Sequence, residues 1–136
     1  MKRKLAAVLV LGASLVFTSA HLTAHHSFSA EYDSNQPITL KGKVTRLEWQ
    51  NPHVYYYVDV AGDAGKVTNW AVEIGAPNGL YRQGWRRDSL KPGDVVTVQG
   101  FRAKNGKAHI NGRSVVLQDG KKVFSGANDD GGPGAR

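Results

Sequence analysis

The sequence contains no cysteine, and its single methionine is Met1. Without cysteine the protein can form neither disulfides nor thiolate metal sites. Met1 would leave with an N-terminal targeting signal, which also excludes a copper(I) site with a thioether ligand. Any metal site must therefore use nitrogen and oxygen donors. Long hydrophobic runs are missing as well, since the one apolar run, residues 5–17, is too short to span a membrane.

The first 24 residues have the three regions of a cleaved secretory signal. Residues 2–4 are basic, residues 5–17 are apolar, and residues 18–24 are more polar and end in a small side chain. We favour cleavage after Ala24, and cleavage after Ala20 is the alternative. We therefore expect a periplasmic or secreted protein with no stable membrane span after processing.

Length and charge limit the mature chain to one small domain. Removing 24 of the 136 residues leaves about 112, enough for one modest core. Loss of the three basic residues of the signal lowers the formal net charge from +7 to +4. The remaining charge is dispersed, with Arg86-Arg87 and Lys121-Lys122 as the only basic doublets. A nucleic-acid partner is not expected from this distribution.

Three segments in the first half of the mature chain alternate apolar and polar residues, which predicts β-strands. These segments are residues 38–49, 54–60 and 67–74. The apolar parity changes within the first of them, which requires a bulge or sharp bend near Thr45-Arg46. The second and third are joined by a glycine-rich turn and are predicted to form a hairpin.

After Gly75 the pattern predicts a helix of at most two turns, beginning near Pro77 and stopping at Gly84. Two more strands follow, over residues 95–102 and 109–117. We therefore predict an all-β fold, a small five-stranded OB-fold-like barrel with one short helix between strands three and four. An open meander or half-barrel is the competing architecture.

The predicted organisation is a signal peptide over residues 1–24, an N-terminal segment over 25–37, the OB-like domain over 38–124 and a tail over 125–136. The tail is rich in Gly, Asp and Asn, so we expect it to be disordered and removable without loss of stability. The alternation along each strand predicts which side chains face inward and share a core, namely Val44, Tyr56, Val58, Trp70, Val72, Val96 and Val98. Trp49 and Trp85 are predicted as further core residues. Tyr55, Tyr57 and Glu73 are predicted to lie outside it.

Several short blocks of the chain carry a family resemblance. The blocks are His25-His26-Ser27-Phe28, Trp49-Gln50-Asn51-Pro52-His53, Asn69-Trp70, Gly84-Trp85, Leu90-Lys91-Pro92-Gly93-Asp94 and Asp119-Gly120-Lys121. In this order and spacing the chain resembles the domain of unknown function 6152 family of small exported bacterial proteins. The resemblance implies an exported single domain and attaches no biochemical activity to it.

The residues that best suggest chemistry are His25, His26, His53 and Glu73. In the predicted hairpin Glu73 lies opposite either His53 or Tyr55, at the end away from the turn. Beside His53, its carboxylate would either orient a metal-binding imidazole or bind the metal itself. If cleavage follows Ala24, the new α-amine and the imidazole of His25 can chelate a metal, and His26 or His53 can complete the site. Imidazole and amine donors suit copper(II), zinc or nickel, with copper binding most tightly.

Simpler interpretations of these histidines remain open. A His-His pair at a processed terminus can be solvated chain, and His53 can be a structural partner of Glu73. His109 is predicted to be an exposed strand residue. The alternative function is a binding surface for a protein, glycan or other small molecule, formed by Tyr55, Tyr57 and Asn69 on the outer face of strands two and three. No residues are arranged as a nucleophile or acid–base pair, so we do not expect an enzyme.

Overall fold

The computed structural model describes residues 28–125 and 132–133. The helices are α1 (Phe28–Glu31) and α2 (Pro77–Arg82), and one 3₁₀ turn covers Asp63–Gly65. The strands are β1 (Tyr32–Glu48), β2 (Tyr55–Ala61), β3 (Val67–Glu73), β4 (Val95–Ala103), β5 (His109–Leu117) and β6 (Lys122–Ser125).

Five of the strands pair into a closed ring. Four antiparallel pairings, β1 with β2, β2 with β3, β1 with β4 and β4 with β5, form most of it. A parallel pairing of β3 with β5, in which Val72 lies opposite Ile110, closes the ring. β6 pairs with β5 beyond the ring. The predicted OB-like fold class, with five strands and a short helix between the third and fourth, is confirmed, and the open alternative is wrong.

β1 changes face at a bulge, as its sequence pattern predicts. Its register with β2 shifts between Val44, which lies opposite Val58, and Arg46, which lies opposite Tyr57. Thr45 is therefore the extra residue. On the other side of the bulge, β1 approaches β2 so closely that a Cβ on Gly42 would lie 2.1 Å from the carbonyl oxygen of Asp59. Glycine at this position lets β1 bend, so that its first part pairs with β4 and its last part pairs with β2.

The core fills the ring and includes all seven residues predicted from the strand alternation. It contains Leu40, Val44, Val54, Tyr56, Val58, Trp70, Val72, Ile74, Leu80, Trp85, Leu90, Val96, Val98, Ile110 and Val115. Of the two further tryptophans predicted, Trp85 is buried and Trp49 is half-buried against the core. Of the residues predicted to lie outside, Tyr55 and Tyr57 are half-buried, whereas Glu73 is buried.

The ends of the folded region differ from the predicted boundaries. β1 begins at Tyr32, six residues before the predicted first strand, because Tyr32 lies opposite Ala103 of β4. At the other end Ser125 belongs to β6, and Gly132 is buried close to the ring of Phe28. Pro133 is described as well, whereas residues 126–131 and 134–136 of the predicted tail, and the predicted signal peptide, lie outside the described residues.

A small second cluster holds the N-terminal segment on the outside of the ring. Phe28 of α1, Tyr32 and Ala103 are buried together, and Phe101 packs against them. The ring of Phe28 lies 5.6 Å from that of Tyr32 and 5.5 Å from that of Phe101. This packing places the first residues of β1 over one end of β3, where the candidate site lies.

Tyr56→Phe is expected to stabilise the protein by about 1 kcal/mol. The Tyr56 side chain is fully buried in the ring, and its hydroxyl has no hydrogen-bond partner among the described residues. Phenylalanine keeps the packing and removes the unpaired polar group. Urea denaturation of the two proteins measures the difference, and a loss of stability would show that the hydroxyl has a bound water or other partner.

Candidate functional site

Glu73, at the end of β3, is a buried carboxylate on the outer face of the ring, where its parity predicts exposure. Only 5% of the residue is accessible. Glu73 lies outside the core cluster, as predicted, but the exposure expected for it is wrong because two residues far away in sequence cover it. Tyr32 reaches it from the start of β1, and His109 reaches it from β5, the parallel neighbour of β3.

Three side chains donate hydrogen bonds to this carboxylate. The hydroxyls of Tyr32, at 2.9 Å, and of Tyr55 both bond to Oε2, while Nδ1 of His53 lies 3.2 Å from Oε1. Nε2 of His109 lies 3.0 Å from the Tyr32 oxygen and 4.0 Å from Oε2. We call these five residues the Glu73 cluster. A carboxylate with three donors at these positions is fully satisfied although it is buried.

The proton positions within the cluster follow from its connectivity. Tyr32 has one hydroxyl proton and donates it to Glu73, so its oxygen accepts a hydrogen bond from His109. His109 therefore carries its proton on Nε2. Burial, with the nearby charge of Glu73, raises the pKa of the Tyr32 and Tyr55 hydroxyls above the ordinary value of 10.0, so both remain donors.

His53 reaches Glu73 from the loop between β1 and β2. Tyr55 is directly opposite Glu73 in the β2–β3 register, so of the two predicted alternatives the structure selects Tyr55. His53 nevertheless bonds to Glu73 as a diagonal neighbour, because Val54 and Ile74 continue the ladder beyond the last paired residues, with a hydrogen bond of 2.9 Å. Its side chain is 28% exposed, and Nε2 makes no hydrogen bond to any described residue.

His109 is half-buried and does not have the exposed position predicted for it. Its ring lies 5.4 Å from the ring of Tyr32 and 5.9 Å from that of Tyr55. The sequence-based interpretation missed both Tyr32 and His109 as site residues. Neither is marked by local periodicity, because their position near Glu73 depends on the closure of the ring and on the packing of α1.

Stability is expected to fall with acidification because of His109. Burial lowers the pKa of His109 below 6.5, although Glu73 and Glu31 act in the opposite direction and Lys107 adds to the lowering. Between about pH 6.5 and the lowered value the unfolded chain binds a proton that the folded protein does not, so stability decreases by up to about 1.4 kcal/mol per pH unit.

His109→Gln is expected to remove this part of the pH dependence, because the amide can still donate to Tyr32 but does not titrate. Urea denaturation of both proteins at about pH 7, 6 and 5 measures it, with chelator present. Parallel pH profiles for the two proteins would contradict the assignment.

The predicted metal ligands are only partly brought together. His53 and Glu73 are in contact, whereas His25 and His26 lie outside the described residues. Within residues 28–125 and 132–133 no group of three or more His, Asp or Glu side chains could hold a metal ion. Glu73 also has its oxygens occupied by three donors, which fits a residue that orients His53 better than a direct ligand.

The aromatic residues of the alternative binding surface are engaged within the protein. Tyr55 is turned towards Glu73. Tyr57 donates its hydroxyl to Glu48 at 3.0 Å, and the guanidinium carbon of Arg46 lies 3.9 Å from its ring centroid. One face of Tyr57 is therefore covered, and the two rings do not share a common open stacking surface.

Asn69, the third residue of that surface, is exposed but also has partners. Its amide nitrogen donates to Asp59 at 2.8 Å and to Thr45 at 3.1 Å. These contacts link β1, β2 and β3 through their side chains. A ligand would have to replace them in order to bind the amide.

The Glu73 cluster lies where OB-folds commonly bind ligands, on strands two and three between the β1–β2 and β4–β5 loops. The first loop carries His53, and the second ends just before His109. Beside His109 a surface depression of about 480 Å³ opens against Glu31, Lys104 and Asn105. The cluster therefore has access to solvent through His53 on one side and His109 on the other.

Comparison with known proteins gives the chain a family but no activity. None of the helices in the described part of the chain is long and apolar enough to cross a membrane. A search of curated proteins finds no match to this sequence. The model of a family of unknown function, DUF6152, matches residues 13–112, which is most of the chain. The chain thus belongs to the DUF6152 family, as its sequence blocks suggested.

Proposed function

We propose that this is an exported, single-domain accessory protein that binds a divalent metal, copper(II) or zinc, through His53 and the histidines of its processed N-terminus. The observation that carries the proposal is the contact between His53 Nδ1 and the buried carboxylate of Glu73 at 3.2 Å. A carboxylate on one ring nitrogen fixes the tautomer and leaves the other nitrogen as a metal donor, which is the usual arrangement around metal-binding histidines.

The covalent connection to α1 limits how far the proposed donors His25 and His26 can lie from Phe28. Phe28 is buried against Tyr32, whose hydroxyl bonds to Glu73. His25 is three residues before Phe28, so its Cα is at most about 11 Å from the Cα of Phe28. After cleavage following Ala24, the α-amine and imidazole of His25 would then chelate the metal together with His53, with His26 as a further donor.

Metal binding by the processed protein is tested by calorimetry with copper(II) and zinc, after mass spectrometry has established its first residue. We expect one metal per chain, nitrogen ligation in the electron paramagnetic resonance spectrum of the copper form, and weaker binding at acidic pH because the ligands must be deprotonated. His53→Ala is expected to weaken binding at least about ten-fold, and Glu73→Gln by about ten- to a hundred-fold.

Two controls separate the parts of this site. Glu48→Gln changes a carboxylate that also accepts a tyrosine hydroxyl, from Tyr57, but has no histidine partner, so it should leave affinity unchanged. Acetylation of the α-amine should weaken binding if His25 is the first residue. If the processed protein binds neither metal at micromolar concentration, the metal proposal fails. The surface of Tyr55, Tyr57 and Asn69 then becomes the leading candidate, as a site for a protein, glycan or small molecule.

A further inference from the structure

A second group of side chains, away from the Glu73 cluster, combines two aromatic rings, one exposed and one half-buried, with positive charge. Trp49 follows β1, and Tyr81 lies in α2, with ring centroids 5.1 Å apart in an edge-to-face contact. Tyr81 is 40% exposed. Arg82 ends α2, and Arg86 and Arg87 follow shortly after it, all three exposed. We call these five residues the arginine–aromatic patch.

Neutral groups hold two of the arginines against the rings. Nη1 of Arg86 donates to the carbonyl oxygens of Trp85, at 2.7 Å, and Tyr81, at 3.2 Å, and its guanidinium carbon lies 5.4 Å from the Tyr81 centroid. The guanidinium carbon of Arg87 lies 5.8 Å from the centroid of Trp49. Because the partners are carbonyls and aromatic faces, they orient the guanidinium groups without neutralising them.

The charge of the patch is not balanced locally. No carboxylate of the described residues lies within 4.0 Å of the guanidinium groups of Arg82, Arg86 or Arg87. Arg46 shows the contrast, since it pairs with Glu48 at 3.1 Å. Two uncompensated arginines against the two rings, with Arg82 next to Tyr81 in the chain, give this surface a local positive field that attracts anions.

We propose that the arginine–aromatic patch docks the protein onto an anionic phospholipid surface. Trp and Tyr rings prefer the depth of the headgroups, where their apolar part meets lipid and their polar edge meets water. Guanidinium groups bind phosphate through paired hydrogen bonds. The patch is independent of the proposed metal site.

Binding is tested by co-sedimentation of the processed protein with vesicles that contain phosphatidylglycerol and with vesicles of phosphatidylcholine alone. We expect salt-sensitive binding to the anionic vesicles and little to the neutral ones. Trp49 fluorescence should shift to shorter wavelength on binding, while the buried Trp70 and Trp85 report no change. Trp49→Phe should remove the shift.

The charge requirement is tested by the double variant Arg82→Gln/Arg87→Gln, which leaves the carbonyl contacts of Arg86 in place. At about 1 kcal/mol per basic residue near an anionic surface, the partition coefficient should fall about 30-fold. The matched control is Lys121→Gln/Lys122→Gln, which removes the same charge from an exposed doublet outside the patch.

Three results would overturn the proposal. One is an equal loss of binding in the arginine and lysine double variants, and another is equal or absent binding to the two kinds of vesicle. The third is displacement from vesicles by an acidic peptide at low concentration, which would identify the patch as a site for an acidic protein. Circular dichroism of each variant confirms that the fold is intact.

Discussion

Replacing Glu73 with alanine is expected to lower the free energy of unfolding by about 3–5 kcal/mol. The substitution leaves three donors, on Tyr32, Tyr55 and His53, without their common acceptor. The Tyr32 donor is buried and two are partly exposed, so the cost per donor differs. The contact that holds the start of β1 over the end of β3 is lost as well. Urea denaturation at neutral pH measures the effect.

Glu48→Ala is the matched control for this prediction. Glu48 also accepts a tyrosine hydroxyl, and it forms an ion pair with Arg46, but 32% of its side chain is exposed. Water can replace these contacts, so we expect a change of no more than about 1 kcal/mol. A similar loss in the two variants would show that the Glu73 cluster contributes no more than an ordinary surface interaction. The free energies of unfolding of Tyr55→Phe, Glu73→Gln and the double variant together measure the coupling between the two side chains.

Trp70→Ala is expected to destabilise the protein by about 3–5 kcal/mol, a large part of the stability of a domain of this size. Trp70 is only 8% exposed and lies opposite Val58 in the middle of the β2–β3 hairpin. The guanidinium carbon of Arg102 lies 5.0 Å from its ring, so the substitution also removes the surface that this arginine covers. Alanine leaves a cavity inside a ring whose backbone is closed and cannot collapse freely.

Trp49→Ala is the comparison for Trp70→Ala. Trp49 is half-buried at the edge of the core and packs on Tyr81. Its loss should cost clearly less, because part of the ring is already in contact with water. Thermal unfolding of both variants distinguishes them. Equal destabilisation would mean that the interior of the ring relaxes around the missing Trp70 side chain.

The register of the hairpin and the bulge in β1 could be predicted because both depend on neighbouring residues. Alternation from Val54 to Val60 places Tyr56 and Val58 in the core, and the parity change in β1 requires the extra residue found at Thr45. Side chains of a strand point alternately to its two faces, so the pattern of apolar residues determines which face is buried. The order of strands and the short helix then predicted the OB-like arrangement.

The candidate site could be predicted only in part. Strand parity within the hairpin left two alternatives for the residue opposite Glu73, His53 or Tyr55. The structure pairs Glu73 with Tyr55 and brings His53 to it as a diagonal neighbour. Glu73 is covered by Tyr32 and His109. Tyr32 is 41 residues from its partner Glu73 along the chain, and His109 is 77 residues from its partner Tyr32. The alternation of residues within a strand carries no information about contacts between residues so far apart in sequence, so Glu73 was predicted to be exposed.

Apart from the first residues of β1 and from β6, the sequence by itself determined where the strands and turns lie and which face of each strand is apolar. These properties are set within a few residues by side-chain alternation and by glycine and proline. The tertiary structure decided which outward-facing polar residue became buried. Closure of the ring through β3 and β5, and packing of Phe28 and Tyr32 on its outer side, enclosed the carboxylate of Glu73. Burial of a charged group depends on every element that surrounds it, and those elements meet only when the chain has folded.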